Sequence, residues 1–299
     1  MRILLCGASG FIGQQIATAL RQAGHTVVAR GRRSVPGLDF VHATAAADWA
    51  QHLAGVDAVV NAAGVLRDSA RAPIEAIHAT APIALFEACA QAGVRRVVQV
   101  SALGIEGNDT RYAQTKRAAD VRLLHLTQTD RLDGLVLRPS VVFGLDGASS
   151  RLFHALSHLP WLLLPRPVMQ ARVQPLAVAE LAEAVATLVA MPERRGLLEL
   201  GGPEALTLAN FIASLRTQRG DPPARVLALP GWATRLSARI GDHLPGSPWC
   251  RETLALLATD NVAAPATLSA LLGRPATPPG ALLATLASTH PARPPVTAQ

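Results

Sequence analysis

Cysteine is scarce in this chain of 299 residues. The three present, Cys6, Cys89 and Cys250, form no C-x-x-C pair. That excludes a disulfide framework and a cysteine-built zinc site, and points to a reducing compartment. Aromatic residues make up only 4%, too few for the stacking platforms that hold single-stranded nucleic acid. No run of five basic residues occurs, so nucleic acid is not expected as a partner despite a net charge of +7. Hydrophobic content reaches 49%, yet no apolar run approaches the roughly 18 residues that cross a bilayer. The apolar start, Arg2 to Cys6, is too short for a signal peptide and leads straight into Gly7, so it is read as a strand. His154 and His158 share an i,i+4 spacing but have no carboxylate beside them, and no metal is assigned. A cytoplasmic protein is expected, with the inner face of a membrane as an alternative address.

The chain also has one tyrosine and one lysine, and they stand four apart, as Tyr112-Ala113-Gln114-Thr115-Lys116. Random placement would give this spacing in about one case in three hundred. Every other basic residue except histidine is arginine. Arginine is a permanently charged planar fork, whereas lysine is a compact point charge that fits beside a phenol and a ribose. On a helix, positions i and i+4 share a face, so ring and ammonium can enter one cleft. A phenol titrates near pH 10, and a nearby cation favours its ionised form. Lowering that pKa by two or three units would need about 3–4 kcal/mol and would make Tyr112 a general acid/base near neutrality.

The strand Arg2–Cys6 is followed by Gly7-Ala8-Ser9-Gly10-Phe11-Ile12-Gly13 and then by a helical pattern from Gln14 to Ala23. Strand, glycine-rich turn and helix is the context of a dinucleotide site. Glycines let the backbone approach a pyrophosphate, and the helix start offers free N–H groups and the positive dipole end. A second strand, His25 to Ala29, ends in Arg30-Gly31-Arg32-Arg33. A cofactor without a 2′-phosphate usually meets an acidic residue here. Gly31 stands about where that acid would be, among three arginines, which predicts NADP(H) in preference to NAD(H). Arg30 and Arg32 are the first candidates for the phosphate and Arg33 the third.

Taken together, these residues resemble the short-chain dehydrogenase/reductase superfamily, in its extended, NAD-dependent epimerase/dehydratase-like branch. Asp57-Ala58-Val59-Val60-Asn61-Ala62-Ala63-Gly64 is similar to the superfamily's fourth strand and the turn that lies against the cofactor. Val97 to Gly104 is similar to the fifth strand with its serine-bearing end, and Arg138-Pro139-Ser140-Val141-Val142-Phe143-Gly144 to the strand beneath the nicotinamide. Gly201-Gly202-Pro203 and Leu257 to Val262 resemble bacterial relatives of the NADPH-binding accessory subunit of respiratory complex I. The resemblance implies that Tyr112 exchanges a proton with the substrate oxygen. It implies that Lys116 holds the nicotinamide ribose and lowers the Tyr112 pKa, and that Ser101 stands in for the substrate-orienting serine. It further implies cofactor contacts from Gly7, Ser9, Gly10, Phe11, Ile12, Gly13, Ala62, Ala63, Gly64, Lys116 and Pro139. The usual serine positions are Ala102 and Leu103 here, and Val41-His42-Ala43-Thr44, after the family's third strand, lacks the Asp often found near the adenine. Both departures weaken catalysis more than cofactor binding.

Alternating strand and helix patterns up to Arg138 predict an α/β fold. It is a Rossmann-type doubly wound parallel sheet with a smaller C-terminal substrate-capping region. Residues 1–144 are expected to form the dinucleotide-binding domain, with 178–200 returning to it and 145–275 mainly capping the substrate. Residues 276–299 are rich in proline and without sustained periodicity, and read as a mobile tail. The segment Leu152 to Arg166 is apolar with a tryptophan and flanking arginines, which suits a membrane interface or the wall of a substrate pocket. Two functions fit. One is an NADP(H)-dependent reductase, dehydrogenase or epimerase acting on a small-molecule carbonyl or alcohol. The other is a non-catalytic NADP(H)-binding structural or sensor protein, docked on a respiratory assembly. The sequence names neither a substrate nor an oligomeric state.

Overall fold

A computed structural model describes residues 1–31, 37–244, 249–257 and 259–289. The first half alternates as expected: β1 (Arg2–Cys6), α1 (Phe11–Gln22), β2 (Thr26–Arg30), α2 (Ala46–Leu53), β3 (Ala58–Asn61), α3 (Ala81–Ala92), β4 (Arg96–Val100), α4 (Arg111–Gln128) and β5 (Asp133–Pro139). A π-helical turn, Ala76–Thr80, leads into α3. The second half contains β6 (Val142–Phe143), α5 (Ala148–Leu156), β7 (Trp161–Pro165), α6 (Arg166–Gln170), β8 (Arg172–Val173), β9 (Leu176–Ala177), α7 (Val178–Val189) and β10 (Gly196–Leu200). It continues through β11 (Leu206–Thr207), α8 (Leu208–Gln218), β12 (Arg225–Leu229), α9 (Gly231–His243), α10 (Arg251–Leu256), α11 (Ala266–Leu272) and α12 (Leu282–Thr289).

Six strands form one parallel sheet in the order β10-β5-β4-β3-β1-β2. Strand order reverses between β1 and β3, and ligands of such sheets bind at the carboxyl ends near that point. The sheet is buried on both faces, so its strands read as continuous apolar runs whose side chains alternate between two cores. Leu4 and Cys6 of β1 join Val59, Val97 and Val136 on the face covered by α2, α3 and α4. Ile3 and Leu5 join Val60, Val98 and Leu135 on the opposite face, covered by α1 and α7. The sheet and its helices are the Rossmann-type doubly wound architecture that the alternation predicts.

Two expectations are corrected. The resemblance implied a strand between β2 and α2, but among the described residues the chain there runs through turns, with His42 and Ala43 N–H groups both donating to the Asp39 carbonyl. Among the described residues Ala58–Asn61 is therefore the third strand. The stretch from residue 276 also contains structure: a 3-10 turn, Pro279–Ala281, and then α12. Leu282 is fully buried in a third core with Phe143, Leu164 and Phe211. Gln218 bridges both ends of the turn, donating to the Pro279 carbonyl and accepting from the Leu283 N–H, each at 2.9 Å. Burial of Ala276, Pro279 and Leu282, with Leu283 packed beside them, gives this proline-rich segment a core to fold against although its pattern carries no period.

Candidate active site

The glycine turn after β1 is shaped by close approach. Gly7 has φ +78°, and a Cβ there would lie 2.7 Å from the Ala63 nitrogen. A Cβ on Gly13 would lie 2.0 Å from the Gly7 carbonyl oxygen. These two glycines seat the turn against β3 and α1, and neither lines the cavity at this edge of the sheet. Gly10 is the N-cap of α1, with no side chain capping the first-turn N–H groups. Uncapped N–H groups at the start of a 12-residue helix offer hydrogen bonds and a positive end to an anion.

These N–H groups open into a cavity of about 400 Å³. It brings together Gly10, Phe11 and Ile12 from the turn, Ala62, Ala63 and Gly64 from beyond β3, Ser101 and Lys116, Tyr112, and Pro139. Stretches as far apart as residues 10 and 139 meet here because the carboxyl ends of neighbouring parallel strands all point to one edge. Ser9 instead lines a groove of about 450 Å³ with Arg30, Gly31 and Arg21, a basic residue that sequence reasoning passed over. The Arg30 guanidinium is half-buried and donates to His52 Nδ1 at 3.3 Å and to the Ala29 carbonyl at 3.1 Å. Arg32 and Arg33 lie outside the described residues.

Tyr112 and Lys116 lie on α4, whose start is braced twice. Thr110 caps it by accepting from the Ala113 N–H, and Glu252 of α10 accepts from the Tyr112 N–H at 2.7 Å. A carboxylate at a helix N-terminus is favourable, so α10 is held against the tyrosine-bearing helix. Lys116 is buried, and its ammonium donates to the Val100 carbonyl at 3.2 Å. A Cβ on Gly64 would stand 3.4 Å from Lys116 Nζ, so the small residue there leaves the ammonium room. Burial lowers the Lys116 pKa to about 8 against the pull of Asp120.

Tyr112 departs from the expected electrostatics. Burial raises its pKa to about 12, and the carboxylates of Asp120 and Glu252 push the same way. The expectation that a cation four residues on would depress it is overturned, because lost hydration disfavours both charges and two acids oppose the phenolate. Among the described residues no group hydrogen-bonds the phenol oxygen. Its ring stands edge-on to that of His78, with centroids 5.1 Å apart.

His78 gave no signal in the sequence. It is carried on the π-helical turn and is fully buried. Burial, and after it the Lys116 charge, lower its pKa to about 2 against a smaller opposing effect of the Val65 hydrogen bond, so the ring is neutral. Nε2 accepts from the Val65 N–H at 3.0 Å, which assigns the ring proton to Nδ1, 3.2 Å from Thr115 Oγ1. The histidine thus ties the segment after Gly64 to the tyrosine helix.

Ser101 lines the same cavity, but its hydroxyl donates to Asp120 Oδ2 at 2.8 Å. The same oxygen accepts from Arg138 Nε at 2.9 Å. Asp120 is fully buried and burial raises its pKa, with Ser101 and Arg138 pulling it back down. Ser101 has one proton and has spent it, so it can meet a substrate only as an acceptor. The later motif is structural: Asn261 donates to the Leu103 carbonyl and Thr259 to the Gly104 carbonyl, both at 2.9 Å, bracing the loop beyond Ser101. A Cβ on Gly202 would lie 2.0 Å from the Pro175 carbonyl oxygen. No group of three metal-ligating side chains occurs among the described residues.

The chain has relatives among known proteins. The model of the NAD dependent epimerase/dehydratase family matches residues 3–160, more than half of the chain. A 3-diazoavenalumate denitrifying reductase from a Streptomyces species is 29% identical over 260 residues, covering 76% of this chain and 84% of that protein. The human epimerase family protein SDR39U1, solved with NADPH, has a TM-score of 0.72 at 17% identity and covers 97% of this chain and 100% of its own. UDP-glucose 4-epimerase of Thermus thermophilus, solved with NAD, has a TM-score of 0.65 at 22% identity, covering 92% of this chain and 94% of its own. The two solved structures are likenesses of fold.

Proposed function

The chain belongs to the NAD dependent epimerase/dehydratase family, and from that premise we propose that it is an NADP(H)-dependent oxidoreductase that reduces a carbonyl group, with Tyr112 as proton donor. The observation that carries the reading is the cavity in which the α1 N-terminus, the Ala62–Ala63–Gly64 turn, Tyr112, Lys116 and Pro139 converge. The residues fit a dinucleotide: free helix N–H groups for the pyrophosphate, small residues where its backbone must lie close, and a buried ammonium beside Gly64 for the nicotinamide ribose. When bound, the reduced cofactor supplies a hydride.

The protein's own part is to hold the substrate and deliver a proton. A phenol with a pKa near 12 is fully protonated at neutral pH, so Tyr112 is placed to donate rather than to abstract. A developing alkoxide is more basic than this phenolate, and transfer from Tyr112 to that oxygen is downhill. Lys116, positively charged below about pH 8, lines the same cavity, where its ammonium would hold the nicotinamide ribose. A protonated phenol suits the reductive direction at neutral pH, and a relative of this chain is named a denitrifying reductase. Arg30 and Arg21 beside Gly31 supply positive charge for a 2′-phosphate, with no acid lining that groove among the described residues.

A second reading is kept by one observation. Ser101 donates its proton to Asp120, so the substrate-orienting hydroxyl is missing, which favours an NADP(H)-binding protein without turnover. Titration with NADPH and NADH, followed by fluorescence of the reduced nicotinamide, tests the cofactor assignment. Micromolar NADPH binding, much weaker NADH binding and loss of the difference in Arg30→Ala are expected. Equal affinities in the wild type would overturn the NADP(H) assignment.

A further inference from the structure

A second cavity, of about 480 Å³, adjoins the first. The two share Leu66, Ala102, Tyr112, Pro139, Ser140 and Ser149, so it opens at the tyrosine. Phe153, Leu156, Leu164, Ile212, Trp249 and Leu256 are among its walls, and no charged side chain lines it among the described residues. Most of its polar side chains are hydrogen-bonded to the protein. Ser140 Oγ donates to the Asn261 carbonyl at 2.7 Å, Ser237 Oγ to Thr234 at 2.9 Å, Thr253 Oγ1 to Cys250 at 3.0 Å, and Asn261 Nδ2 to Leu103 at 2.9 Å. Among the described residues, only Tyr112 and Ser149 keep a hydroxyl without a partner in this wall. Resting on the oxidoreductase reading, we propose that the substrate is an uncharged, elongated apolar molecule with a carbonyl or alcohol at the end that meets Tyr112. A nucleotide sugar would bury phosphate charge here without a partner, which is strongly unfavourable.

Calorimetric titration with 1-hexanol, 1-octanol, 1-decanol and UDP-glucose tests this. Each methylene entering the cavity should tighten binding about two- to fourfold until the chain outgrows the cavity, and UDP-glucose should give no heat. Leu256→Glu, on a partly exposed wall, should weaken decanol at least tenfold and leave NADPH affinity unchanged. A flat series, binding of UDP-glucose, or an unaffected variant would overturn the inference. Normal NADPH binding with a flat series would defeat this inference alone, whereas a normal series without NADPH binding would defeat the oxidoreductase reading alone.

A separate observation concerns the outer surface. Helix α9 buries its small residues Thr234, Ala238 and Gly241 and exposes its large apolar ones: Trp232 is 66%, Leu236 50% and Ile240 54% exposed. A Cβ on Gly241 would lie 1.9 Å from the Trp249 carbonyl oxygen, so close packing fixes which face is outward. Trp232, Leu236 and Ile240, spaced by four, form one stripe, with Arg235 and Arg239 exposed beside it and without an ionic partner among the described residues. We infer that this face lies on an anionic lipid bilayer. The arginines and the net charge of +7 suit anionic headgroups, whereas two copies of the face would set arginine against arginine. Through Ser237 the same helix also walls the apolar cavity.

Flotation of the full chain with phosphatidylcholine vesicles, with and without 30% phosphatidylglycerol (an amount of about this order is enough to charge the surface), tests the assignment. Binding to the anionic vesicles, weakened by salt, is expected. It should be lost in the triple variant Trp232→Asp, Leu236→Asp, Ile240→Asp, which should keep the wild-type melting temperature. Absence of flotation at low salt would overturn it. So would a wild-type dimer that the triple variant converts to monomer, which would identify a second copy as the occupant.

Discussion

Replacing Lys116 by methionine should stabilise the cofactor-free protein. The ammonium is buried, has one hydrogen bond to a backbone carbonyl, and its pKa falls from 10.5 to about 8. A shift of this size corresponds to about 3 kcal/mol, the cost of holding the charge inside the fold. The folded-state pKa lies below the unfolded one, so the unfolded chain binds the proton more tightly. The cost is therefore full below pH 8 and disappears as pH rises towards 10.5. Methionine matches the apolar stem but loses the bond to Val100, worth about 1 kcal/mol, which leaves a net gain of about 2 kcal/mol at pH 7. Urea denaturation of both proteins at pH 7 and pH 10, followed by circular dichroism, measures it. The variant should be the more stable at pH 7, and the gap should close at pH 10 as the wild type gains. A variant no more stable at pH 7, or a gap independent of pH, would refute the view that Lys116 is kept at a cost in stability.

Gly13→Ala should displace α1 from the turn, since its Cβ would meet the Gly7 carbonyl oxygen at 2.0 Å. A loss of about 1–3 kcal/mol in urea denaturation and at least tenfold weaker NADPH binding are expected. Asp120→Asn should leave the buried Arg138 guanidinium with only the exposed Glu106 as a carboxylate partner and cost about 3 kcal/mol in the same assay. A cost below about 1 kcal/mol would mean that the pair is not holding β5 to α4.

Local signals were legible and distant contacts were not. The glycine turn, the strand alternation and the Tyr112/Lys116 spacing each depend on neighbours within a few residues, and the sheet then delivers them to one cavity. Ser101 read as a substrate contact because nothing nearby in sequence competes for its proton; Asp120, which takes it, is 19 residues on. The Tyr112 pKa was expected to fall because Lys116 is visible in the sequence, while what raises it is burial, then Asp120 on the same helix, then Glu252 brought in from α10 by the fold. Helix α12 was missed for a related reason, since Leu282 is ordered by a core formed by residues as distant as Phe143. The apolar segment from Leu152 to Arg166 divides: Leu152, Phe153, Leu156 and Leu164 line the larger cavity, and Trp161 faces solvent. The stripe on α9 was overlooked because its periodicity is that of any amphipathic helix, and only the fold decides which face is outward.

The most direct test of the central claim is NADPH oxidation by the wild type and by Tyr112→Phe, assayed at pH 7 with a panel of aldehydes and ketones of increasing chain length. Phenylalanine keeps the ring against His78 and removes only the proton to be donated. The expected result is turnover by the wild type, reduced about 10²–10⁴-fold in the variant, with NADPH affinity unchanged. Equal turnover by both proteins, or none by the wild type with NADPH bound, would contradict Tyr112 as the proton donor of a carbonyl reductase.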